Sequence, residues 1–251
     1  MRNLIYRIYE RRLAGRLTNE SRPKHVGVIL DGNRRWAALK DGHTAKDGHT
    51  AGALKTREFL GWCDELGIEL VTLYLLSTDN VANRKSQELD DLIEVIDDLV
   101  QTLSESGRWR LQLVGDRALL PEKLANTIAS AEAHTADWPG MHVNLAVAYG
   151  GRHEITDAVK SILATHKEKS VDELAELLTP ELITNHLYTS GQPDPDLVIR
   201  TSGEQRMSGF LLWQSANSEF YFEEALWPDF RRVDFLRALR AFANRHRRFG
   251  A

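Results

Sequence analysis

The sequence predicts a single α/β domain with a mainly parallel central sheet of about six strands and helices on both faces. Short β-rich runs alternate with longer helical patterns, and this order requires crossover connections between parallel strands. The length of 251 residues fits one such domain, and no linker or low-complexity stretch divides the chain. A composition with 42% hydrophobic and 27% charged residues is typical of a globular protein with its own core.

The elements follow from the spacing of apolar residues. Five apolar, β-rich runs are predicted to be strands, at 26–30, 70–76, 109–114, 141–149 and 197–200. Apolar residues share one helical face over 54–66, up to Gly67, and form an unbroken stripe over 89–103, before Gly107. The pattern predicts further helices near 121–136, 152–166 and 232–247.

We expect residues 1–20 to form a separate segment ahead of a domain that spans 21–251. This segment is rich in arginine, and Leu4, Ile5, Ile8, Tyr9 and Leu13 recur in it at helical spacing. The pattern predicts a basic amphipathic helix. Such a helix can lie on an anionic membrane surface, and it can equally pack its apolar stripe on the domain.

The composition excludes several classes of function. A net charge of −4 argues against general nucleic-acid binding. The single cysteine permits no intrachain disulfide, so we expect a cytoplasmic protein, in contact with the inner face of the membrane at most through residues 1–20. No apolar run approaches the ~20 residues of a membrane span. The chain has no phosphate-binding P-loop, no dinucleotide-binding glycine motif after its first strand, and no hydrolase nucleophile elbow.

A polar cluster directly follows the first predicted strand. It consists of Asp31, Gly32, Asn33, Arg34 and Arg35. In an open α/β sheet, ligands bind outside the carboxyl ends of the strands. Arginine side chains and free backbone N–H groups there can hold an anion, and an aspartate can hold a divalent cation. A solvated turn is the simpler alternative for one such cluster taken alone.

A second cluster follows the strand at 197–200 and repeats this chemistry. It runs from Arg200 through Thr201, Ser202, Gly203 and Glu204 to Arg206. Two strand ends that carry arginines predict two phosphate sites. The alternative is that Arg200 and Arg206 form surface ion pairs with Glu204 or Glu219, a contribution of ~0–1 kcal/mol.

A six-residue segment occurs twice in tandem, at 40–45 and at 46–51. It is too short to be a structural repeat, and we expect it to lie in a loop, where added length has a small entropic cost. The duplication leaves two Gly-His pairs, which contain His43 and His49, as candidates for one role.

Five motifs, in order, resemble those of the cis-prenyltransferases, the undecaprenyl diphosphate synthase family. They are HVGVILDGNRRW at 25–36, YLLSTDN at 74–80, YGGR at 149–152, DLVIRTSGE at 196–204 with its continuation to Glu219, and RFG at 248–250. The likeness covers nearly the whole chain. It is strongest to short-chain actinobacterial members, the (2Z,6E)-farnesyl diphosphate synthases.

The resemblance implies that an allylic diphosphate loses pyrophosphate and is attacked by the double bond of isopentenyl diphosphate. It implies that Asp31 is the catalytic carboxylate and that Asp31 and Glu219 hold Mg²⁺. Asn33 and Asn80 would be orienting groups near the proton-transfer step. The residues that the resemblance assigns to substrate binding are Gly32, Asn33, Arg34, Arg35, Trp36, His49, Ser77, Asp79, Arg84, Arg200, Arg206, Ser208 and Arg248. Of these, Trp36 can instead be a packing residue, and Ser77 can simply satisfy a backbone group.

The chain departs from the family pattern at the first loop and after Asn80. The segment GHTAG at 48–52 fits the family's Gly-His-x-Ala-Gly best, so His49 is preferred to His43. A basic residue usual four positions before this histidine is Ala45 here, so one phosphate contact is absent or is supplied by Lys46. Val81 replaces a larger residue, and Arg84 lies one position late.

The resemblance also implies an apolar tunnel for the prenyl chain, formed by the helix at 89–103 and the strand at 70–76. Long-chain members tend to have a small residue where Leu75 stands. Forcing bulk into a packed wall costs ~1–3 kcal/mol, so we expect Leu75 to stop elongation at fifteen carbons from geranyl diphosphate. The alternative is a long-chain synthase that makes the lipid carrier for cell-wall assembly.

Two further alternatives belong to other classes. A non-catalytic partner subunit would keep the fold but typically lacks the first aspartate or the paired arginines, and this chain retains them. If the family resemblance is set aside, the two predicted phosphate sites are also compatible with a phosphate-sensing or sugar-phosphate-binding module. The family is generally dimeric, so Arg245, Arg247 and Arg248 are expected to reach the neighbouring subunit's Asp31 loop, unless they form a solvated basic tail.

Overall fold

The computed structural model describes residues 22–83 and 86–249. The helix predicted for residues 1–20 therefore lies outside the described residues. Six strands form a parallel sheet in the order β3-β4-β2-β1-β5-β6. They are β1 (His25–Ile29), β2 (Leu70–Ser77), β3 (Arg110–Val114), β4 (His142–Tyr149), β5 (Leu197–Arg200) and β6 (Glu219–Phe222). This confirms the predicted fold class.

Helices cover both faces of the sheet. Those before the third strand are α1 (Asn33–Ala38), α2 (Ala45–Glu65), α3 (Thr78–Asn83) and α4 (Ser86–Glu105). Those after it are α5 (Glu122–Thr135), α6 (Gly151–Thr165), α7 (Val171–Leu177), α8 (Pro180–Thr184) and α9 (Arg232–Phe249). Among the helices of residues 22–83 and 86–249, none has the length and hydrophobicity of a membrane-spanning segment.

The central strands are predominantly apolar in sequence because both of their faces are covered. Every residue of β1 is buried, and so is every residue of β5. The register aligns Ile29 of β1 with Tyr74 of β2 and with Arg200 of β5. The carboxyl ends of these three strands therefore meet at one edge of the sheet, as the strand-end clusters predicted.

The prediction that the duplicated segment lies in a loop is wrong for its second copy. Residues 46–51 form the first turns of α2, which begins nine residues before the predicted helix at 54–66. Thr44 caps this helix: its hydroxyl accepts from the backbone N–H of Asp47, whose carboxylate accepts from the N–H of Thr44. The glycines and threonines of this segment are typical of a loop, but here they lie at the capped start of a helix.

A network of polar side chains links the four neighbouring strands β1, β2, β4 and β3 of the sheet. The imidazole of His25 contacts the hydroxyl of Thr72 at 2.8 Å and the carbonyl oxygen of Pro193 at 2.8 Å. Asn144 donates to Thr72, and Gln192 bridges Asn144 to Gln112. Burial lowers the pKa of His25 from 6.5 to about 4, against the smaller raising effects of the Pro193 carbonyl and Asp196.

We expect the fold to lose stability through His25 as the pH falls from 7 to 5. The unfolded chain binds a proton near pH 6.5, whereas the folded chain resists it down to about pH 4. The unfolded state therefore binds more protons in this range. As a result, the free energy of unfolding should be about 2 kcal/mol lower at pH 5 than at pH 7.

Urea unfolding at both pH values measures this effect. His25→Asn should show a smaller loss of stability between pH 7 and pH 5 than the wild type. His153→Asn, at an exposed position of α6, is the matched control and should keep the wild-type pH dependence. Equal pH dependence in wild type and His25→Asn would contradict the assignment.

Candidate active site

A cleft of about 740 Å³ opens at the carboxyl ends of β1, β2 and β5. One part of its lining is polar, with carboxylates, amides and arginines from the strand ends. The other part is apolar and comes from α2, α4 and the end of β2. The cleft can therefore accommodate a ligand with an anionic head and an apolar tail.

The polar part is organised around an ion pair between the ends of β1 and β5. Arg200 donates from Nη2 to Oδ2 of Asp31 at 2.8 Å, and its side chain is only 5% exposed. Its other terminal nitrogen donates to the hydroxyl of Ser208 at 2.7 Å and to the carbonyl oxygen of Arg206. Burial raises the pKa of Asp31, but the hydrogen bond and charge of Arg200 outweigh it and hold that pKa below its ordinary value.

The backbone of Asp31 is fixed from two directions. Its N–H donates to the hydroxyl of Thr201 at 3.0 Å, and that hydroxyl donates to the carbonyl oxygen of Asp31 at 2.7 Å. The same carbonyl oxygen accepts from the backbone N–H of Trp227 at 3.0 Å. Gly32 then turns the chain into α1 with φ +110°, and a Cβ there would lie 3.0 Å from Cα of Leu226.

Three arginines and two carboxylates alternate across the mouth of the cleft, in the order Arg206, Glu204, Arg35, Asp31 and Arg200. Arg35 lies 3.7 Å from Asp31 and 3.8 Å from Glu204, and it also donates to the hydroxyl of Ser202. Glu204 in turn contacts Arg206 at 2.5 Å. Arg34 also lines the cleft, and its guanidinium pairs with Glu88 of α4 at 3.1 Å. Guanidiniums on both sides of Asp31 can hold anionic phosphate groups.

The start of α2 packs directly on the loop that follows β1. A Cβ on Gly48 would lie 2.2 Å from the carbonyl oxygen of Asn33, and one on Gly52 would lie 2.4 Å from its side-chain oxygen. This close approach brings His49, which is buried, into the wall of the cleft. His43 is exposed and lies edge-on to Trp36, outside the lining. The structure thus brings the preferred histidine, His49, to the site.

The end of β2 departs from regular pairing where it meets the cleft. Tyr74 pairs with Ala146 and Leu76 pairs with Val147, so Leu75 is an extra residue on β2, a β-bulge. Leu75 is half-buried and lines the cleft. Burial raises the pKa of Tyr74 to about 12, so its hydroxyl stays protonated and donates to the carbonyl oxygen of Ser208.

The first turn after β2 supplies further polar groups. Ser77 accepts from the backbone N–H of Asn80 at 3.0 Å and so caps the start of α3. Ser77, Asp79 and Asn80 all line the cleft. The alternative that Ser77 satisfies a backbone group is therefore also fulfilled, because its hydroxyl both caps α3 and faces the cleft.

The apolar arm of the cleft runs between α2 and α4. Its lining residues are Leu30, Ala53, Thr56, Leu75, Leu92, Val95, Ile96, Leu99 and Trp227. The hydroxyl of Thr56 is turned into its own helix and donates to the carbonyl oxygen of Gly52, so the arm presents mainly carbon atoms. The helix and strand that were predicted to form the tunnel both lie here.

Most of the predicted site residues meet in this one cleft. The residues in its lining are Asp31, Gly32, Asn33, Arg34, Arg35, His49, Leu75, Ser77, Asp79, Asn80, Arg200, Arg206 and Ser208. Trp36 is not among them: its indole N–H donates to Asp229 at 2.8 Å, and Lys40 lies over its ring, so it packs beside the site. Arg84 and the side chain of Arg248 lie outside the described residues.

Glu219 does not meet Asp31 within one chain. It starts β6, where it pairs with Leu197, which in turn pairs with Val26 at the other end of β1. From Val26 to the end of β1 is already roughly 10 Å along the strand. The carboxylate of Glu219 instead accepts from Arg245 at 2.6 Å. Asp31 and Glu219 of one chain therefore cannot share a metal ion, because they lie at opposite ends of the parallel sheet. That both residues hold Mg²⁺ stays a prediction, which now requires Glu219 to come from a second copy of the chain.

Lys46 also has a different partner from the one considered. Its ammonium group pairs with Glu94 of α4 at 2.5 Å, and it is absent from the lining of the cleft. The proposed replacement of a missing phosphate contact by Lys46 is therefore not supported by the geometry.

Sequence reasoning missed two residues of the site. Trp227 lies in the 3₁₀ turn Trp227–Asp229, and its indole N–H donates to the carbonyl oxygen of Gly52 at 2.9 Å. With its backbone bond to Asp31, it connects the β1 end to α2. Glu204 had appeared only as an ion-pair partner, yet it lines the cleft. A carboxylate two residues before Arg206 was the available signal for Glu204, and no local pattern indicates the role of Trp227.

The donor set fits Mg²⁺ only with help from a ligand. The described residues contain no group of three or more potential metal-ligating side chains. The Oδ2 atom of Asp31 accepts a hydrogen bond from Arg200, and the side chain of Asp31, which lines the cleft, is 32% exposed. Mg²⁺ commonly binds through one or two carboxylates, substrate phosphate oxygens and water. Asp31 together with a diphosphate therefore suits this ion.

Comparison with known proteins identifies relatives along the whole chain. A family model described as undecaprenyl diphosphate synthase matches residues 29–250. Isoprenyl transferase 1 of Streptomyces avermitilis is 54% identical over 252 residues, which cover 100% of this chain and 97% of the relative. The (2Z,6E)-farnesyl diphosphate synthase of Thermobifida fusca is 56% identical over 248 residues, 98% of this chain and 97% of the relative.

A solved structure has the same architecture. Lavandulyl diphosphate synthase from Lavandula x intermedia, crystallised in complex with dimethylallyl diphosphate, matches with a TM-score of 0.82 and 36% sequence identity. The match covers 90% of this chain and 97% of that chain. At this identity and coverage, the likeness extends beyond the fold to the family.

We expect Gly48→Ala to destabilise the protein by about 1–3 kcal/mol, because the new methyl group would force α1 and α2 apart at Asn33. Gly61→Ala in the same helix is the matched control. The nearest atom to its Cβ would be Nη1 of Arg108 at 3.9 Å, so alanine there should stabilise by about 0.5–1 kcal/mol. Urea unfolding compares the two variants, and a similar effect at both positions would contradict the close packing at Gly48.

Proposed function

Since the chain belongs to the undecaprenyl diphosphate synthase family of cis-prenyltransferases, we propose that it condenses geranyl diphosphate with isopentenyl diphosphate to (2Z,6E)-farnesyl diphosphate and pyrophosphate. The observation that carries this proposal is the Asp31–Arg200 ion pair at the head of an apolar arm. It combines groups for a diphosphate with space for a prenyl chain in one cleft.

Two diphosphates need two sets of cationic groups. Arg35, His49 and the loop at Gly32 and Asn33 surround one end of the cleft and would bind the allylic diphosphate. Arg200, Arg206 and Ser208 are joined by hydrogen bonds and would bind the isopentenyl diphosphate. Arginine suits both tasks because its planar group donates two parallel hydrogen bonds to phosphate.

The reaction proceeds by breaking the allylic C–O bond. The bonding electrons leave with pyrophosphate, and the allylic carbon becomes cationic. The double bond of isopentenyl diphosphate attacks that carbon, and loss of a proton sets the new cis double bond. Arg34 and Arg35 would stabilise the charge that develops on the leaving pyrophosphate. Asn80, which faces the cleft, would orient the substrate at the proton-transfer step.

Mg²⁺ bound at Asp31 would neutralise part of the charge on the leaving pyrophosphate. Asp31 would hold the ion through its carboxylate, whose pKa Arg200 holds below its ordinary value in spite of burial. The Asp31 side chain is oriented by Arg200, and its backbone is oriented by Thr201 and Trp227. Small displacements of a reacting group are costly in catalysis, so this fixed geometry matters.

The apolar arm would hold the prenyl chain and limit its length. Each isoprene unit adds five carbons, and its burial gains on the order of 4 kcal/mol. The wall formed by Leu75, Val95 and Leu99 therefore decides whether a further unit is accommodated. Names of close relatives, among them short-chain Z-isoprenyl diphosphate synthase of Mycobacterium bovis at 50% identity, favour a short product over the long-chain alternative.

We further propose that the protein acts as a homodimer whose sites are completed by a second copy. Glu219 and Arg245 lie together at the amino end of β6, an edge strand, and far from the Asp31 of their own chain. In a symmetric dimer they, and the following Arg248, would serve the neighbouring cleft. A membrane contact through residues 1–20 remains a prediction.

Asp31→Asn should reduce turnover by at least about 100-fold, because it removes a charge at the leaving group while it preserves the shape of the side chain. Glu219→Gln should also be strongly impaired. When the two purified variants are mixed and allowed to exchange subunits, about a quarter of wild-type activity should return, since each mixed dimer has one intact site.

The assay measures incorporation of radiolabelled isopentenyl diphosphate into geranyl diphosphate. Full activity of Asp31→Asn alone would refute the catalytic assignment. Two impaired variants that stay inactive after complete exchange would refute the shared site but not the reaction.

Leu75→Ala should lengthen the product, because removal of three carbons opens the wall of the apolar arm. Reversed-phase chromatography of dephosphorylated products separates fifteen-carbon chains from longer ones. Leu92→Ala, a second truncation in the same arm, is the comparison that tests whether position 75 is decisive. If Leu75→Ala and the wild type give the same chain length, Leu75 is not the stop. A wild-type product of many isoprene units would favour the long-chain alternative.

A further inference from the structure

Glu204 forms ion pairs with two guanidinium groups that a diphosphate would need. Its Oε2 atom lies 2.5 Å from Nη1 of Arg206, and its Oε1 atom lies 3.8 Å from Nη1 of Arg35. Asp31 occupies the other side of Arg35 and pairs with Arg200. Charges therefore alternate from Arg206 through Glu204, Arg35 and Asp31 to Arg200.

The backbone holds Glu204 in this place at a conformational cost. Ser202 has φ +81°, a left-handed conformation that is unfavourable for a residue with a side chain, and Gly203 follows with φ +74°. The N–H groups of these two residues donate to the carbonyl oxygens of Ala225 at 2.8 Å and Glu223 at 2.9 Å. The turn is thus anchored to the segment after β6, and Glu204 comes directly after it.

The carboxylate of Glu204 must separate from Arg35 and Arg206 when a diphosphate binds to these two arginines. Arg35 is assigned above to the allylic diphosphate, which becomes pyrophosphate, and Arg206 to the isopentenyl diphosphate. The side chain of Glu204 is 31% exposed, and those of Arg35 and Arg206 are 50% and 66% exposed, so the pairs can separate without stranding a buried charge.

Product release gives this competition a purpose. A cleft that binds a diphosphate substrate through several arginines also binds free pyrophosphate, and slow release then limits turnover. We propose that Glu204 is an internal counter-anion. It competes with pyrophosphate for Arg35 and with the diphosphate of the prenyl product for Arg206, and so promotes release of both products. This inference rests on the proposed function for its purpose, whereas the competition itself concerns binding alone.

The test is the affinity for inorganic pyrophosphate, measured by isothermal titration calorimetry with and without Mg²⁺. Glu204→Gln keeps the size of the side chain and removes its charge, so it should bind pyrophosphate about three- to tenfold more tightly. Glu204→Asp keeps the charge but shortens the reach toward Arg35, and it should lie between Glu204→Gln and the wild type.

Glu224→Gln is the matched control. Glu224 is exposed and lies beside the same turn, close to Gly203, and its replacement changes the net charge by the same amount. Its affinity for pyrophosphate should stay within about twofold of the wild type. Tighter binding by Glu204→Gln alone separates a local competition from the general electrostatic field of the protein.

Turnover gives a second readout. Glu204→Gln should show a lower inhibition constant for pyrophosphate and a reduced steady-state kcat, with single-turnover rates unchanged. A residue that only supports the structure would weaken pyrophosphate binding when it is replaced. Equal or weaker binding by Glu204→Gln therefore overturns the inference, and weaker binding only with Mg²⁺ present would assign Glu204 to the metal instead. Neither result would bear on whether the condensation itself takes place.

Discussion

The buried ion pair between Arg200 and Asp31 is the contact on which the site depends. A guanidinium that is 5% exposed needs partners for its charge and its N–H groups, because an unpaired buried charge costs several kcal/mol. Asp31, Ser208 and the carbonyl oxygen of Arg206 provide them. One side chain thereby fixes the end of β1 and the turn after β5.

Backbone strain collects in the same region. Three of the four non-glycine residues with positive φ in the described chain follow β5: Ser202, Ser208 and Leu211. The structure retains such conformations only where surrounding contacts over-determine them. Behind this segment, the buried Glu154 accepts from Tyr149 and from Gln214, and burial raises the pKa of Glu154. This network fixes the end of the segment at Gln214, whereas Arg200 fixes Ser208 at the cleft.

The polar head and the apolar arm come from different layers of the molecule and share a few connecting groups. Trp227 binds the backbone of Asp31 with its N–H and the carbonyl oxygen of Gly52 with its indole. Gly48 and Gly52 allow α2 to approach Asn33 closely. The position of the helix that lines the arm is thus coupled to the loop that carries the carboxylate. The diphosphate and the prenyl chain of the proposed substrate would therefore be held in one defined relation.

The sequence by itself determined the fold class, the main strands and the location of the site. The apolar run before Asp31 and the one before Arg200 predicted buried parallel strands, and the strand-end rule then placed both clusters at one edge. Such inferences succeed because burial of a whole element leaves a periodic pattern in the residues themselves. The helical stripe at 89–103 was readable for the same reason.

Only the tertiary structure decided which distant side chains meet. The two copies of the duplicated segment are identical, and only the Gly52 that follows the second copy favoured His49 over His43 in the sequence. The packing of Gly48 and Gly52 on Asn33 is what brings His49 into the wall of the cleft. Glu219 lies away from Asp31 because strand register, which depends on pairing across the sheet, carries it to the opposite end. Contacts between elements are set by packing of whole surfaces, and a single sequence does not encode them as a local pattern.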